Sequence, residues 1–414
     1  MESLCDTGFS TVVLGINTYN FLKIPRLLDV AIVIRRVILR IFRFGYVYII
    51  KPILFMISPD NVHKRMIRAM SFWQRVPGFK SLVRAVFKQP LSQVLRQEYH
   101  GLTFNSPVGL SAGFDKNGEI VPIIAALGFG FSEVGSVTAF PCDGNPRPWF
   151  YRLPKTRSLV VNAGLGNQGS EPIIKRLAGY SKVAVKDFPV VLSIAKTNSQ
   201  DVISVSQGIS DYVTTAMRAK NQPNIKMIEL NISCPNAYGG EDFTKPNDLE
   251  LLLMAIDSLN LGKPILIKMP VNLDWAKTKE LLDVIVGHNI AGVTIANLAK
   301  DRTNVNLKDE LPTSMAGNLS GKPTWDLSNE LIRHSYLDYG KKLTIIGVGG
   351  IFSADDAYTK IRLGASLVEL ITGMIFEGPQ LPSQIVDGLK KLLKADGFDH
   401  ISQAIGIDAG KTNL

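Results

Sequence analysis

Cysteine is scarce in this 414-residue chain: there are three, Cys5, Cys142 and Cys234, far apart and without CxxC spacing. That excludes a disulfide framework and leaves too few thiols for a cysteine-ligated iron–sulfur cluster. Histidine is nearly as rare, five residues with no HxH or HExxH pattern, so no metal site is expected. No GxGxxG turn follows the first apolar strand, which argues against an open nucleotide-binding sheet. Long apolar runs are also missing. Between Leu27 and Ile57 the longest uncharged run is Phe44 to Ile50, far short of the roughly 20 residues a spanning helix needs. Residues 1–22 have no Lys or Arg and lack the charged start and cleavage site of a secretory signal.

Acidic residues are in short supply in one place only. Residues 1–100 hold 15 Lys/Arg against 5 Asp/Glu, a surplus of ten that equals the net charge of the whole chain. Basic residues mixed with apolar ones point to an anionic membrane surface, and the neutral remainder gives no reason to invoke nucleic acid. Arg36, Arg40 and Arg43 recur at helical spacing among Ile32, Ile34, Val37, Ile38, Leu39 and Ile41. This predicts a helix lying in or obliquely against a membrane surface, with a spanning helix or an organelle-targeting segment as alternatives. Two short amphipathic helices follow, from Ser58-Pro59-Asp60 to Trp73 and from Phe79 to Phe87. Either they pack on the body of the protein, or they form the mouth of a tunnel for a lipid-soluble molecule.

From about residue 107 a regular alternation begins. Apolar runs at 107–112, 131–137, 190–194, 227–232, 265–269, 292–296, 343–348 and 367–371 read as buried parallel strands. Helical patterns lie between most of them, including 202–219, 248–258, 276–286, 355–363 and 383–393. Eight strands alternating with helices predict an α/β fold, a (β/α)8 barrel. The expected organisation is a membrane-anchoring segment (1–45), a two-helix extension (46–90), the barrel (91–398) and a tail (399–414).

The chemistry is read at the strand ends. Glu229-Leu230-Asn231-Ile232-Ser233-Cys234-Pro235-Asn236 delivers a thiol and two carboxamides from one strand to one loop. Carboxamides donate and accept hydrogen bonds, which suits a planar amide or imide ligand, and a thiolate can act as a base. The bland alternative is a buried cysteine beside a turn. Other strand ends contribute the Ser111–Gly118 turn, Ser136, the Asn162–Asn167 loop, Lys268, Asn297, Gly347-Val348-Gly349-Gly350 and Thr372-Gly373. The last two, joined by Ser320-Gly321, have the makings of a phosphate cradle. Lys268 suits an electron-rich ring, although pairing with a carboxylate such as Glu229 explains it equally.

The segments GLSAGFDKNGE, EVGSVT, GNPRPWFYRL, NISCPN, IKM, GVTIANLAKDR, GNLSGKP, IIGVGGI and LVELITGMIFEGP, in this order, resemble the dihydroorotate dehydrogenase family. LFMISPDNVHKRM resembles its membrane-associated, quinone-reducing class 2. The resemblance implies FMN held by Ala112, Gly113, Lys116, Ser136, Asn162, Asn231, Lys268, Ser320, Gly321, Gly349, Gly350, Thr372 and Gly373. It implies dihydroorotate bound by Lys116, Asn162, Asn231, Asn236 and Asn297, with Cys234 as the base that removes the C5 proton. His63 and Arg152 match positions lining a quinone tunnel. The expected setting is a bacterial or mitochondrial inner membrane, and the expected reaction is a step of pyrimidine biosynthesis.

Three features depart from the pattern. Cys234 stands where class 2 has Ser and resembles the soluble class 1 enzymes. Leu298 replaces a Thr after Asn297. The Asn162–Asn167 loop is one residue shorter than usual, and Ile371 replaces a Tyr. The alternatives these raise are a soluble acceptor such as fumarate, or another dihydropyrimidine as substrate. Outside enzymes, the alternative is a membrane-attached barrel that binds a phosphorylated ligand without turnover.

Overall fold

A computed structural model describes residues 23–181, 185, 187–234, 242–302, 305, 307–312 and 315–411. Asn236 and residues 1–22 lie outside them. The eight expected strands are all present: β1 (Val108–Leu110), β2 (Phe131–Val137), β3 (Val190–Ile194), β4 (Met227–Asn231), β5 (Ile265–Lys268), β6 (Gly292–Ile295), β7 (Thr344–Val348) and β8 (Leu367–Leu370). They pair in parallel, in chain order, and β8 closes on β1. Because both faces of such strands are covered, they read as near-continuous apolar runs, and β3, β4 and β5 are buried along their whole length.

Polar residues inside the strands fall on the inward face at period two. Glu229 lies two residues below Asn231 on β4, and register pairs Ser193 with Glu229 and Asn231 with Lys268. An ionic layer therefore sits directly under the strand-end residues.

The outer helices include α1 (Val205–Lys220), α2 (Pro246–Ser258), α3 (Trp275–Ile285), α4 (Trp325–Tyr339), α5 (Ala354–Arg362) and α6 (Leu381–Ala395). Side chains of Ser204, Asp274 and Ser353 accept backbone N–H groups at the starts of α1, α3 and α5, caps that stabilise by about 1 kcal/mol each. A three-stranded antiparallel sheet, Phe150–Leu153, Ser158–Val161 and Asn318–Leu319, lies outside the closed barrel.

At the N-terminus, a helix at Lys23–Gly45 passes through a π-turn (Tyr46–Ile50) into another at Lys51–Phe55, with helical backbone at Gly45 between them. Helices Pro59–Trp73 and Phe79–Phe87 follow, as expected. The basic face is not the outward one. Arg36 pairs with Asp387 at 2.8 Å and Arg43 with Glu377 at 2.5 Å, so these two arginines, though partly exposed, clamp the helix to the barrel. Leu39 and Tyr46 are buried beside them, and the Tyr46 hydroxyl donates to the Ile375 carbonyl at 2.7 Å. Arg40 remains exposed together with Val33, Ile34, Val37, Ile41, Phe44, Tyr48, Ile49 and Ile53. Among the described residues no helix is long and apolar enough to cross a membrane.

Candidate active site

A cavity of about 470 Å³ opens above the C-terminal ends of the strands and extends between the N-terminal helices. Ala112, Gly113, Lys116, Ser136, Asn231, Cys234, Lys268, Asn297, Ser320, Gly321, Gly349, Gly350, Thr372, Gly373, His63 and Arg152 all line it. Asn162 does not. Its carboxamide oxygen accepts from Asn145 Nδ2 at 2.9 Å, and its neighbours Val161, Ala163, Gly164 and Leu165 form the wall there.

The carboxamides on the floor hold one another in place. Asn231 Nδ2 donates to Ser136 Oγ at 2.8 Å, and Ser136 Oγ lies 2.9 Å from Ser193 Oγ. Asn297 Nδ2 donates to the Ser233 carbonyl and hydroxyl, both at 2.9 Å, and Ser233 Oγ donates to Asn231 Oδ1 at 3.0 Å. Cys234, half-buried and in no disulfide, follows Ser233.

Lys116 owes its position to the preceding residue. The buried Asp115 carboxylate accepts from the backbone N–H groups of Glu119 and Ile120 at 2.7 and 2.9 Å, which closes the turn. The Lys116 ammonium lies 4.2 Å from the centre of the Trp149 ring and 5.4 Å from that of Phe150. Its nitrogen is buried and has no hydrogen-bond acceptor among the described residues. Burial, reinforced by Arg147, lowers its pKa to about 8, while Asp60 and the thiols of Cys234 and Cys142 pull the other way. An uncompensated buried cation of this kind favours an anionic ligand.

Lys268 makes the expected carboxylate pairing and also lines the cavity. It reaches the cavity wall, and its Nζ lies 3.1 Å from Glu133 and 3.6 Å from Glu229. Burial alone would lower its pKa, but Glu133, Glu229 and Glu369 together raise it.

The glycine turns leave their amides open. Gly349 has φ +105°, and a Cβ there would stand 2.4 Å from Thr324 Oγ1. Gly321 has φ +75° and approaches the Arg157 carbonyl as closely. No described residue accepts the backbone N–H of Gly321, Gly349 or Gly350. Ser320 Oγ and Thr372 Oγ1 stand 2.9 Å apart beside them. Successive free N–H groups and hydroxyls make an anion-binding concavity.

Toward the N-terminal helices the walls become apolar, with Phe42, Tyr46, Leu54, Val62, Met66 and Met70. Here His63 Nε2 lies 2.8 Å from the Phe114 carbonyl, and burial lowers its pKa. Arg152 donates to the Ile57 carbonyl at 2.7 Å and caps the preceding helix.

A family model described as "Dihydroorotate dehydrogenase" matches residues 94–393. A protein of Deinococcus deserti named "Dihydroorotate dehydrogenase (quinone)" is 34% identical over 373 residues, covering 88% of this chain and 100% of the relative. A relative of the same name from Rippkaea orientalis is 37% identical over 320 residues, covering 76% of this chain and 84% of the relative. This chain belongs to the dihydroorotate dehydrogenase family. A crystal structure of DHODH from Eimeria tenella in complex with ferulenol matches the fold with a TM-score of 0.76 at 26% identity, covering 85% of this chain and 96% of that one.

The departures from the dihydroorotate dehydrogenase pattern all sit at this cavity, since Leu298, Leu165 and Ile371 line it. The short loop turns through left-handed backbone at Gly164 (φ 54°) and Leu165 (φ 59°). Sequence reading missed Asn145, which turns Asn162 aside. It missed Asp60, which accepts from Arg147 and from the N–H groups of Trp149 and Phe150. It also missed Glu133 and Glu369. All four act on other protein groups, and only strand register and tertiary contact bring them to the site.

Proposed function

We propose that this protein oxidises dihydroorotate to orotate, in the service of pyrimidine synthesis, and delivers the two electrons to a membrane quinone through bound FMN. The observation that carries the reading is the buried, acceptor-free ammonium of Lys116 at a cavity that also holds the Cys234 thiol.

The residues present fit FMN. The open N–H groups of Gly321, Gly349 and Gly350, with Ser320, Thr372 and Gly373, suit its phosphate. Ala112, Gly113, Ser136, Asn231 and Lys268 suit its ring, and the orphaned oxygens beneath leave that ring polar company. FMN, when bound, supplies a two-electron acceptor for the substrate and a two-electron donor for the quinone. Asn231 and Asn297, with Asn236 just beyond Cys234 in the sequence, orient the dihydroorotate ring. Lys116 meets negative charge on the substrate. The Cys234 thiolate removes the C5 proton, holds it at Sγ and releases it to solvent. Asn162 stands behind the wall, bonded to Asn145, and takes no direct part.

Quinone enters through the apolar end, past His63 and Arg152. Residues 1–45 and 46–90 serve as anchor and access extension, and 91–398 as the catalytic barrel with 399–414 as its tail. The exposed apolar face beside the cavity mouth rests on the membrane surface, at a bacterial or mitochondrial inner membrane. A quinone acceptor is favoured over a soluble one by this continuity of apolar wall and apolar exterior. The test is to release and identify the bound cofactor, then offer the dihydroorotate-reduced protein a short-chain quinone and fumarate in parallel. Rapid re-oxidation by quinone alone is expected, and preference for fumarate refutes the quinone assignment.

A further inference from the structure

The most unusual feature of the barrel interior is its charge. Glu133, Glu229 and Glu369 are each 0% exposed, and they surround one lysine, Lys268. Among the described residues, Glu133 Oε1, Glu229 Oε2 and both oxygens of Glu369 make no hydrogen bond of ordinary geometry. Glu369 and Lys268 line the cavity. The neighbouring strands add no other titratable side chain: β1, β3, β6 and β7 bring only apolar residues, glycine, Ser193, Thr294 and Thr344.

Full ionisation would leave two uncompensated negative charges in a dry interior. Like charges left unbalanced there repel far more strongly than they would in water. One ionised carboxylate against the one ammonium would leave the cluster neutral. Consistent with this, burial and mutual repulsion raise the pKa of all three carboxyls. A route to the cavity exists. Ser193 Oγ donates to Glu229 Oε1 at 2.8 Å, and Ser136 Oγ, on the cavity wall, lies 2.9 Å from Ser193 Oγ.

We propose that Glu133, Glu229 and Glu369 around Lys268 form an exchangeable proton store: one carboxylate takes a proton from solvent each time the site above gains negative charge on reduction. On re-oxidation the carboxyl returns it. This rests on FMN binding above Lys268. The balance is simple. Dihydroorotate gives up two electrons and two protons and quinone takes up both, while the store's proton comes from and returns to water. A fixed, neutral core layer would show no such exchange.

The test uses the full-length flavoprotein reduced photochemically, without dihydroorotate. Reduced-minus-oxidised infrared spectra should show a protonated carboxyl carbonyl band gained on reduction and shifted in heavy water. A pH-indicator dye should count about one more proton taken up per flavin by the wild type than by the Glu133→Gln, Glu229→Gln, Glu369→Gln triple variant. Absence of the carboxyl band in the wild type overturns the proposal even if a variant fails to fold. So do equal proton counts in wild type and a flavin-retaining variant. A protein that binds flavin and shows the band but does not react with dihydroorotate defeats the functional reading alone. A protein that holds no flavin defeats both.

Discussion

Cys234 and Lys116 are the residues on which the chemistry turns. General-base catalysis contributes about 10²- to 10⁴-fold, and a thiol ionises near 8.5 where a serine hydroxyl is effectively non-acidic. Cys234→Ser should therefore lower dihydroorotate-driven flavin reduction by at least about 10²-fold near neutral pH. It should also move the rising limb of the rate–pH profile upward. Superimposable profiles in rapid-mixing experiments contradict Cys234 as the base. Lys116→Met removes the cation and should weaken dihydroorotate binding by about tenfold or more, while leaving the flavin bound. Both residues were legible in the sequence because each stands in a short polar run at a strand end. Asn162 was legible by resemblance, yet its side chain turns to Asn145, a partner 17 residues away that no local pattern announces.

At the scale of elements, Asp60 ties the Pro59–Trp73 helix to the Arg147–Phe150 segment that cradles Lys116. Asp60→Ala leaves two backbone N–H groups unmatched and should cost about 1–3 kcal/mol. Denaturant unfolding, read alongside the dihydroorotate half-saturation, checks this, and an unchanged midpoint counts against the tie. Met66→Trp narrows the apolar end of the cavity. It should slow quinone reduction about tenfold or more while leaving the dihydroorotate half-reaction intact, and equal losses in both would remove the tunnel assignment. The outward face makes a separate prediction: Ile41→Asp with Phe44→Asp should reduce co-flotation with lipid vesicles, and undiminished flotation contradicts it. The strands and helices were readable to within a few residues because buried parallel strands are unbroken apolar runs. The orientation of the first helix was not. Arg36 and Arg43 read as a surface-facing basic stripe because their partners, Asp387 and Glu377, lie more than 300 positions away.

At the scale of the whole molecule, the barrel gathers at one rim residues scattered from His63 to Gly373, and beneath them an ionic layer that ordinary cores avoid. The folded-state pKa values of Glu229 and Glu369 are raised by burial. The folded protein thus binds more protons than the unfolded chain above the ordinary carboxylate range. Their contribution to stability is complete below that range and is lost as pH rises through the raised values. Thermal unfolding of the wild type should fall off more steeply with rising pH than that of Glu369→Gln, and parallel curves would count against these shifts. Alternation of strands and helices made the barrel legible from sequence. The layer was not, because Glu133, Glu229 and Glu369 lie on three strands and meet only when the sheet closes.

The most direct test of the central claim is anaerobic addition of L-dihydroorotate to the purified, detergent-solubilised protein while the visible flavin absorbance is followed. The cavity and its residues predict prompt bleaching, reversed by a short-chain quinone. A flavin that stays oxidised would contradict the claim and would point to Leu298 and the short Gly164–Leu165 loop as having changed the substrate.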